Sequence, residues 1–152
     1  MNKKKIVITG VVLLVIGLLV TVYFMFLEPN RDTQAVESAF TITSVDLVDN
    51  CLADMGKVNG DLLSADGESE VFNVTGEVKL IEKDQNEQTT IYLFAGENKP
   101  LVRCTLLKNS DISSVKKGDT IKVKGVFRSC AEYDEDLDLM EDAIIDQCDI
   151  IK

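Results

Sequence analysis

Residues 71–81 read Val71-Phe72-Asn73-Val74-Thr75-Gly76-Glu77-Val78-Lys79-Leu80-Ile81, and their alternation decides the fold. Phe72, Val74, Gly76, Val78 and Leu80 are apolar or glycine, while Asn73, Thr75, Glu77 and Lys79 between them are polar. A period of two marks a strand with one buried face, so the even positions are expected to point into a core. The strand is expected to run to about Lys83, long enough to pair on both sides.

Outward from this strand, the pattern repeats. Asp84 to Gln88 is a polar turn, and Thr89 to Ala95 alternates again, with Ile91, Leu93 and Ala95 on one side and Thr90, Tyr92 and Phe94 on the other, which completes a hairpin. Gly96, Asn98 and Pro100 mark the next turn, and Leu101 to Leu107 forms a third strand with Val102, Cys104 and Leu106 on one face. A helical turn over Asn109 to Val115 and the tight turn Lys116-Lys117-Gly118-Asp119 lead into a fourth strand, Thr120 to Arg128. Ser129 to Asp142 reads as a long acidic loop and Ala143 to Ile151 as a fifth strand. The inward face of that last strand is ambiguous, because Asp146 and Cys148 share parity with Ile144 and Ile150.

Upstream, Ser44 is a suitable N-cap with Asp46 in the first turn. Leu47, Val48, Cys51, Leu52 and Met55 then recur at helical spacing until Gly56 ends or bends the helix. Five strands with a short helical segment between the third and fourth meet the needs of an oligonucleotide/oligosaccharide-binding (OB) barrel. Gly76 and Gly125 fall mid-strand, where such a barrel bends. The expected fold is therefore mainly β, a five-stranded OB-fold barrel with an N-terminal helix; a six-stranded open sheet is the alternative, and the strand count is too low for an immunoglobulin-like sandwich.

The N-terminus differs in kind. Residues 6–27 contain no charge, and as a helix rising about 1.5 Å per residue they would span a hydrocarbon layer of ~30 Å. Lys3, Lys4 and Lys5 precede the run, whereas Glu28, Arg31 and Asp32 follow it. The positive-inside tendency then places residues 1–5 in the cytoplasm, residues 6–27 in the membrane as a single transmembrane helix, a stalk over 28–40 and the OB-fold domain over 41–152 outside the cytoplasm. A cleaved signal peptide is disfavoured, since the run exceeds the usual h-region of ~7 to 15 residues and no small-x-small site follows closely. Beyond Leu27 stand 13 basic and 26 acidic residues, a balance of −13. Binding to a phosphate backbone needs the opposite footprint, so a nucleic-acid partner is disfavoured.

Val74-Thr75-Gly76-Glu77-Val78, Val102-Arg103-Cys104-Thr105, Lys117-Gly118-Asp119-Thr120-Ile121-Lys122-Val123-Lys124-Gly125 and Cys148-Asp149-Ile150-Ile151-Lys152 together resemble the tRNA-anti-like family of bacterial membrane-anchored OB-fold proteins. The resemblance covers about Phe40 to Lys152. It implies an N-terminal span or signal, a helix and a five-stranded barrel in the bacterial envelope, and it implies no tRNA binding by the anchored members. This helix is less alanine-rich than the family's, and the loop before the last strand is longer and more acidic.

Candidate sites follow from the residue types. Cys51, Cys104, Cys130 and Cys148 stand in what would be an oxidising compartment, and their even number is compatible with two disulfides. A disulfide between Cys130 and Cys148 is favoured because it would pin the ends of the acidic loop. Cys104 with Cys148 is the rival, and buried free thiols are the third possibility. With no histidine and no CxxC pair, zinc is disfavoured. Asp134, Asp136 and Asp138 have the D-x-D-x-D opening of a calcium loop, but Leu139 and Ile145 occupy the glycine and glutamate positions, which excludes an EF-hand.

Tyr92, Phe94 and Arg103 are expected on the outer face of strands two and three, where OB barrels bind ligands, unless the N-terminal helix packs on them. Lys116, Lys117, Lys122 and Lys124 form a basic cluster best read as a solvated strand face. The sequence has no histidine for general base work, no G-x-S-x-G elbow and no phosphate-binding glycine loop, so no enzyme and no cofactor is expected. These observations and the resemblance together lead to a non-catalytic, membrane-anchored extracytoplasmic binding module whose ligand is an envelope protein or a glycan. The alternative is an OB domain for single-stranded nucleic acid or oligonucleotides.

Overall fold

The computed structural model describes residues 14–18, 20–21, 32–64 and 69–151. The chain divides into two compact units, Met1–Asp32 and Thr33–Lys152. Within the expected anchor over 6–27, residues 14–18 and 20–21 are described and are helical, and the rest lies outside the described residues. Among the described residues no helix is long and apolar enough to cross a membrane.

The second unit holds, in chain order, β1 (Thr41–Thr43), α1 (Ser44–Ala53), α2 (Met55–Leu62), β2 (Val71–Lys83), β3 (Thr89–Leu93), β4 (Val102–Leu106), β5 (Thr120–Ser129), β6 (Glu132–Asp134), β7 (Leu139–Glu141) and β8 (Ala143–Ile151). The main sheet runs β1-β2-β3-β4-β8-β5, and β5 pairs back onto β2. Five strands thus close into a barrel, an order consistent with the OB-fold, and β1 adds a short parallel strand outside it. The strand pair β4–β8 is parallel; β2–β3, β3–β4, β2–β5 and β5–β8 are antiparallel.

The long strand β2 closes the barrel because it pairs with β5 over Val71 to Glu77 and with β3 over Val78 to Lys83. Through Val78 the inward residues follow the expected alternation, Phe72, Val74 and Val78 all being buried, and on the opposite face Val71 and Asn73 are covered as well. The end of the strand does not follow that alternation. The register shifts between Val78 and Leu80, so that a β-bulge there inverts the faces. Leu80 is exposed and Ile81 packs against the core instead.

A second irregularity resolves the ambiguity of β8. Cys104 pairs with Ile145 while Leu106 pairs with Cys148, so β8 has one residue more than β4 across this interval. Gln147, with φ of 52°, adopts the left-handed conformation that accommodates the extra residue. Ala143 and Ile145 point inward before it, and after it Cys148 does. The Gln147 carbonyl accepts a hydrogen bond from Gln34 Nε2 at 2.9 Å, and Lys124 Nζ donates to Gln34 O at 2.8 Å. Residues 33–40, expected within the stalk, are thus held against the barrel wall. Ala39 N donates to Val71 O, Asn73 N to Phe40 O, and the Phe40 ring stacks on Phe72 with centroids 5.0 Å apart. This strap buries the outward-facing Asn73, whose side chain donates to Ser38 Oγ.

Helix α1 starts one residue earlier than the sequence suggests: Thr43 is the N-cap, accepting from Asp46 N at 3.0 Å. Ser44 is buried and sits directly over Gly76, where a Cβ would strike its side chain; the glycine gives the helix room to approach the sheet. The break comes at Asp54 rather than at Gly56. Asp54 leaves the helical conformation (φ −157°, ψ 80°), and its carboxylate accepts from Lys57 N to cap α2. Leu47, Val48 and Cys51 of α1 join Phe72, Leu93 and Phe127 in one core cluster.

Candidate ligand-binding face

The outer face of β3 and β4 is built by strict alternation. Ile91, Leu93 and Ala95 are buried, so Tyr92 and Phe94 project from the opposite side and are half-buried there. On β4, Val102, Cys104 and Leu106 are buried and Arg103 is exposed. Antiparallel register sets Tyr92 directly opposite Arg103, so the ring and the guanidinium are cross-strand neighbours. Tyr92 Oη donates to Glu82 Oε2 at 3.0 Å. Burial, followed by that hydrogen bond, holds the phenol above its ordinary pKa, so it stays a neutral donor through the physiological range. Lys79 Nζ lies 5.1 Å from the centre of the Phe94 ring, a cation–π contact.

The three residues expected to form a site therefore share one surface. Helix α1 directs its buried side chains into the core cluster. Arg103 makes no hydrogen bond or ion pair among the described residues and is available to a ligand. Two rings with a neighbouring free guanidinium and a lysine offer a stacking surface with hydrogen-bond donors at its edge.

The cysteines are placed differently from the expectation. Cys130 is bonded to Cys51, with Cα atoms 5.4 Å apart, and not to Cys148. Topology explains this pairing. Cys130 follows the end of β5 at the barrel rim, where α1 brings Cys51, whereas the Gln147 bulge turns Cys148 inward. Cys104 and Cys148 are free and buried, and their side chains are in contact. Burial, then the neighbouring Cys104 thiol, holds the Cys148 pKa well above the ordinary thiol range.

The acidic loop contains a strand pair that the sequence reading missed. The strands β6 and β7 form a small antiparallel hairpin, Glu132 opposite Glu141 and Asp134 opposite Leu139. Three-residue strands give too few alternations to detect, and a run of carboxylates hides them. Asp134 Oδ1 accepts from the amides of Asp136 and Leu137, and Tyr133 Oη donates to Asp138 Oδ1 at 2.8 Å. These carboxylates shape the turn. Among the described residues no group of three or more metal-ligating side chains is gathered. Of the basic cluster, Lys124 is tied to the strap, and Asp119 Oδ2 accepts from the amide of Lys116 in the turn before β5.

Compared with protein-family models and with curated proteins, the chain matches none.

Proposed function

We propose that this chain is a non-catalytic binding module of the bacterial envelope, anchored by residues 6–27 with its barrel domain outside the cytoplasm. In this reading the barrel is an OB-fold of the tRNA-anti-like kind, and its ligand is an envelope protein or a glycan. The observation that carries the reading is the shared outer surface of Tyr92, Phe94 and Arg103 in a domain, residues 41–152, that holds 12 basic and 23 acidic residues, a balance of −11. Rings with one guanidinium suit sugar faces or a protein surface, while a domain this acidic repels a polyanion.

The same rings support the alternative, a site for single-stranded nucleic acid, because bases also stack on aromatics. Salt separates the two. Presented with a labelled single-stranded oligonucleotide at ~150 mM salt, the full chain should show no binding. Binding that weakened steeply with added salt and disappeared in Tyr92→Ala and Arg103→Ala would establish the alternative. For the first reading, crosslinking in intact cells should capture an envelope protein or glycan, and Arg103→Ala should reduce that capture. An anchored, outward-facing domain should also be cut by protease added to intact spheroplasts; full protection would overturn the topology.

A further inference from the structure

A concave surface apart from the face of Tyr92, Phe94 and Arg103 lies at the rim of the barrel, where α1 meets the β6–β7 hairpin. It is a groove of about 610 Å³. Leu52, Met55, Pro100 and Met140 supply its apolar lining, and Glu132 and Glu135 stand among them. Leu52 and Met140 are 41% and 44% exposed, so this apolar surface is open to solvent. The tip of the hairpin adds Leu137 at 71% exposure, which extends the apolar character beyond the groove.

The charge on this surface has one sign. Seven carboxylates and no basic residue occupy positions 132–142. Three of the seven are used within the fold: Asp134 by turn amides, Asp138 by the Tyr133 hydroxyl and Asp142 by the Leu101 amide. Glu132 and Glu135 make no hydrogen bond or ion pair among the described residues, no basic side chain lines the groove, and nearby Lys99 is engaged by Asp49. Two unpaired carboxylates beside open apolar surface call for a ligand that is cationic and apolar together. Methionine lining adapts to side chains of varied shape. The Cys51–Cys130 bond joins α1 to the segment that leads into β6, so it fixes the two sides of the groove relative to each other before any ligand arrives.

We propose that this groove binds a cationic, amphipathic peptide segment of a partner protein, with lysine or arginine side chains meeting Glu132 and Glu135 and an apolar side chain seated on Leu52, Met55 and Met140. The surface is distinct from the Tyr92, Phe94 and Arg103 face, and the proposal holds whether or not the chain is anchored in a membrane.

The test uses the full chain in phosphatidylcholine nanodiscs and a fluorescein-labelled peptide of alternating leucine and lysine, read by anisotropy at ~150 mM salt against empty discs. The peptide should bind. Replacing its lysines by glutamate, or its leucines by serine, should each weaken binding at least about tenfold, since both contacts are needed. The variant Glu132→Gln/Glu135→Gln should lose about tenfold, and reduction of the disulfide should weaken binding further, while Tyr92→Ala and Arg103→Ala should leave it unchanged. Glu132 and Glu135 both lie on the surface, and an unchanged melting curve shows that the double variant is folded. Absence of binding, equal binding of the glutamate peptide, or full affinity in the glutamine variant would overturn the proposal. So would self-association of the chain that the glutamine substitutions abolish, which would assign the groove to a second copy.

Discussion

Two pairs of cysteines lie in one small barrel, and only one pair is bonded. Cys51 and Cys130 join a helix to the loop that leaves β5. Cys104 and Cys148 sit in neighbouring strands β4 and β8, already held together by the sheet, and remain buried thiols. The difference teaches what each region lacks. At the wall, backbone pairing and core burial fix the geometry, and the thiols act as small apolar side chains. At the rim, α1 reaches the core through a few side chains, and the loop has no ladder connecting it to the helix. A covalent link between elements 79 residues apart supplies there what hydrogen bonds supply in the wall.

The largest test of this contrast removes the link. Closing a loop of that length costs an unfolded chain about 4 to 5 kcal/mol on the chain-entropy account, and measured losses for native disulfides span roughly 2 to 5 kcal/mol. Cys51→Ala/Cys130→Ala should therefore lower the unfolding free energy by about 2 to 5 kcal/mol in urea titrations. Peptide mapping without reductant should find Cys51 joined to Cys130, and Cys104 and Cys148 unmodified by iodoacetamide until the chain is unfolded. A Cys130–Cys148 peptide would reverse the comparison.

Next in size is overpacking at the two glycines. A Cβ on Gly125 would lie 2.6 Å from both Cys148 Sγ and Ile145 Cγ2 and 3.0 Å from the Asp146 carbonyl, with the barrel wall leaving no direction of escape. Gly125→Ala should cost about 1 to 3 kcal/mol. At Gly76 the obstruction is Ser44 at the start of α1, with Leu93 Cβ at 3.1 Å. A helix released from its disulfide can retreat from the new methyl; a strand cannot. Gly76→Ala should accordingly cost less in the Cys51→Ala/Cys130→Ala background than in the parent, whereas the cost of Gly125→Ala should be additive within ~0.5 kcal/mol. Equal coupling at both sites would show that helix and wall move as one body. Thr75→Val, half-buried beside Gly76, should change little.

The same contrast governs what the sequence could reveal. Strands that obey a period of two over five or more residues were legible, and β8 was located with its bounds from Ala143 to Ile151. The parity of Leu80 and of Cys148 was not, because each lies beyond a bulge, and a single inserted residue leaves no composition signal before the partner strand is known. Tyr92, Phe94 and Arg103 could be placed on one face since alternation alone sets their direction. The groove could not be foreseen: it needs α1, the Pro100 turn and the β6–β7 hairpin brought together in space. Nor could the Cys51–Cys130 bond, since four cysteines permit three pairings and only the fold selects among them.

The smallest expected effect is a pH dependence from one of the unbonded thiols, Cys148. Burial raises the pKa of Cys148 in the folded chain, whereas an unfolded thiol titrates near 8.5. Above about pH 8.5 the unfolded chain releases a proton that the folded chain keeps. The folded state then binds more protons, so stability falls as pH rises, by at most about 1.4 kcal/mol per pH unit for one such group. Urea midpoints between about pH 8.5 and 9.5 should decline, a window that precedes most tyrosine and lysine titration. Cys148→Ala should flatten the decline, because it removes the thiol whose ionisation differs between the two states. Cys51→Ala/Cys130→Ala in its place should lower the whole curve and leave a slope from Cys148 intact. If the Cys148→Ala curve kept its slope, the decline would belong to another group and Cys148 would not be the protected thiol.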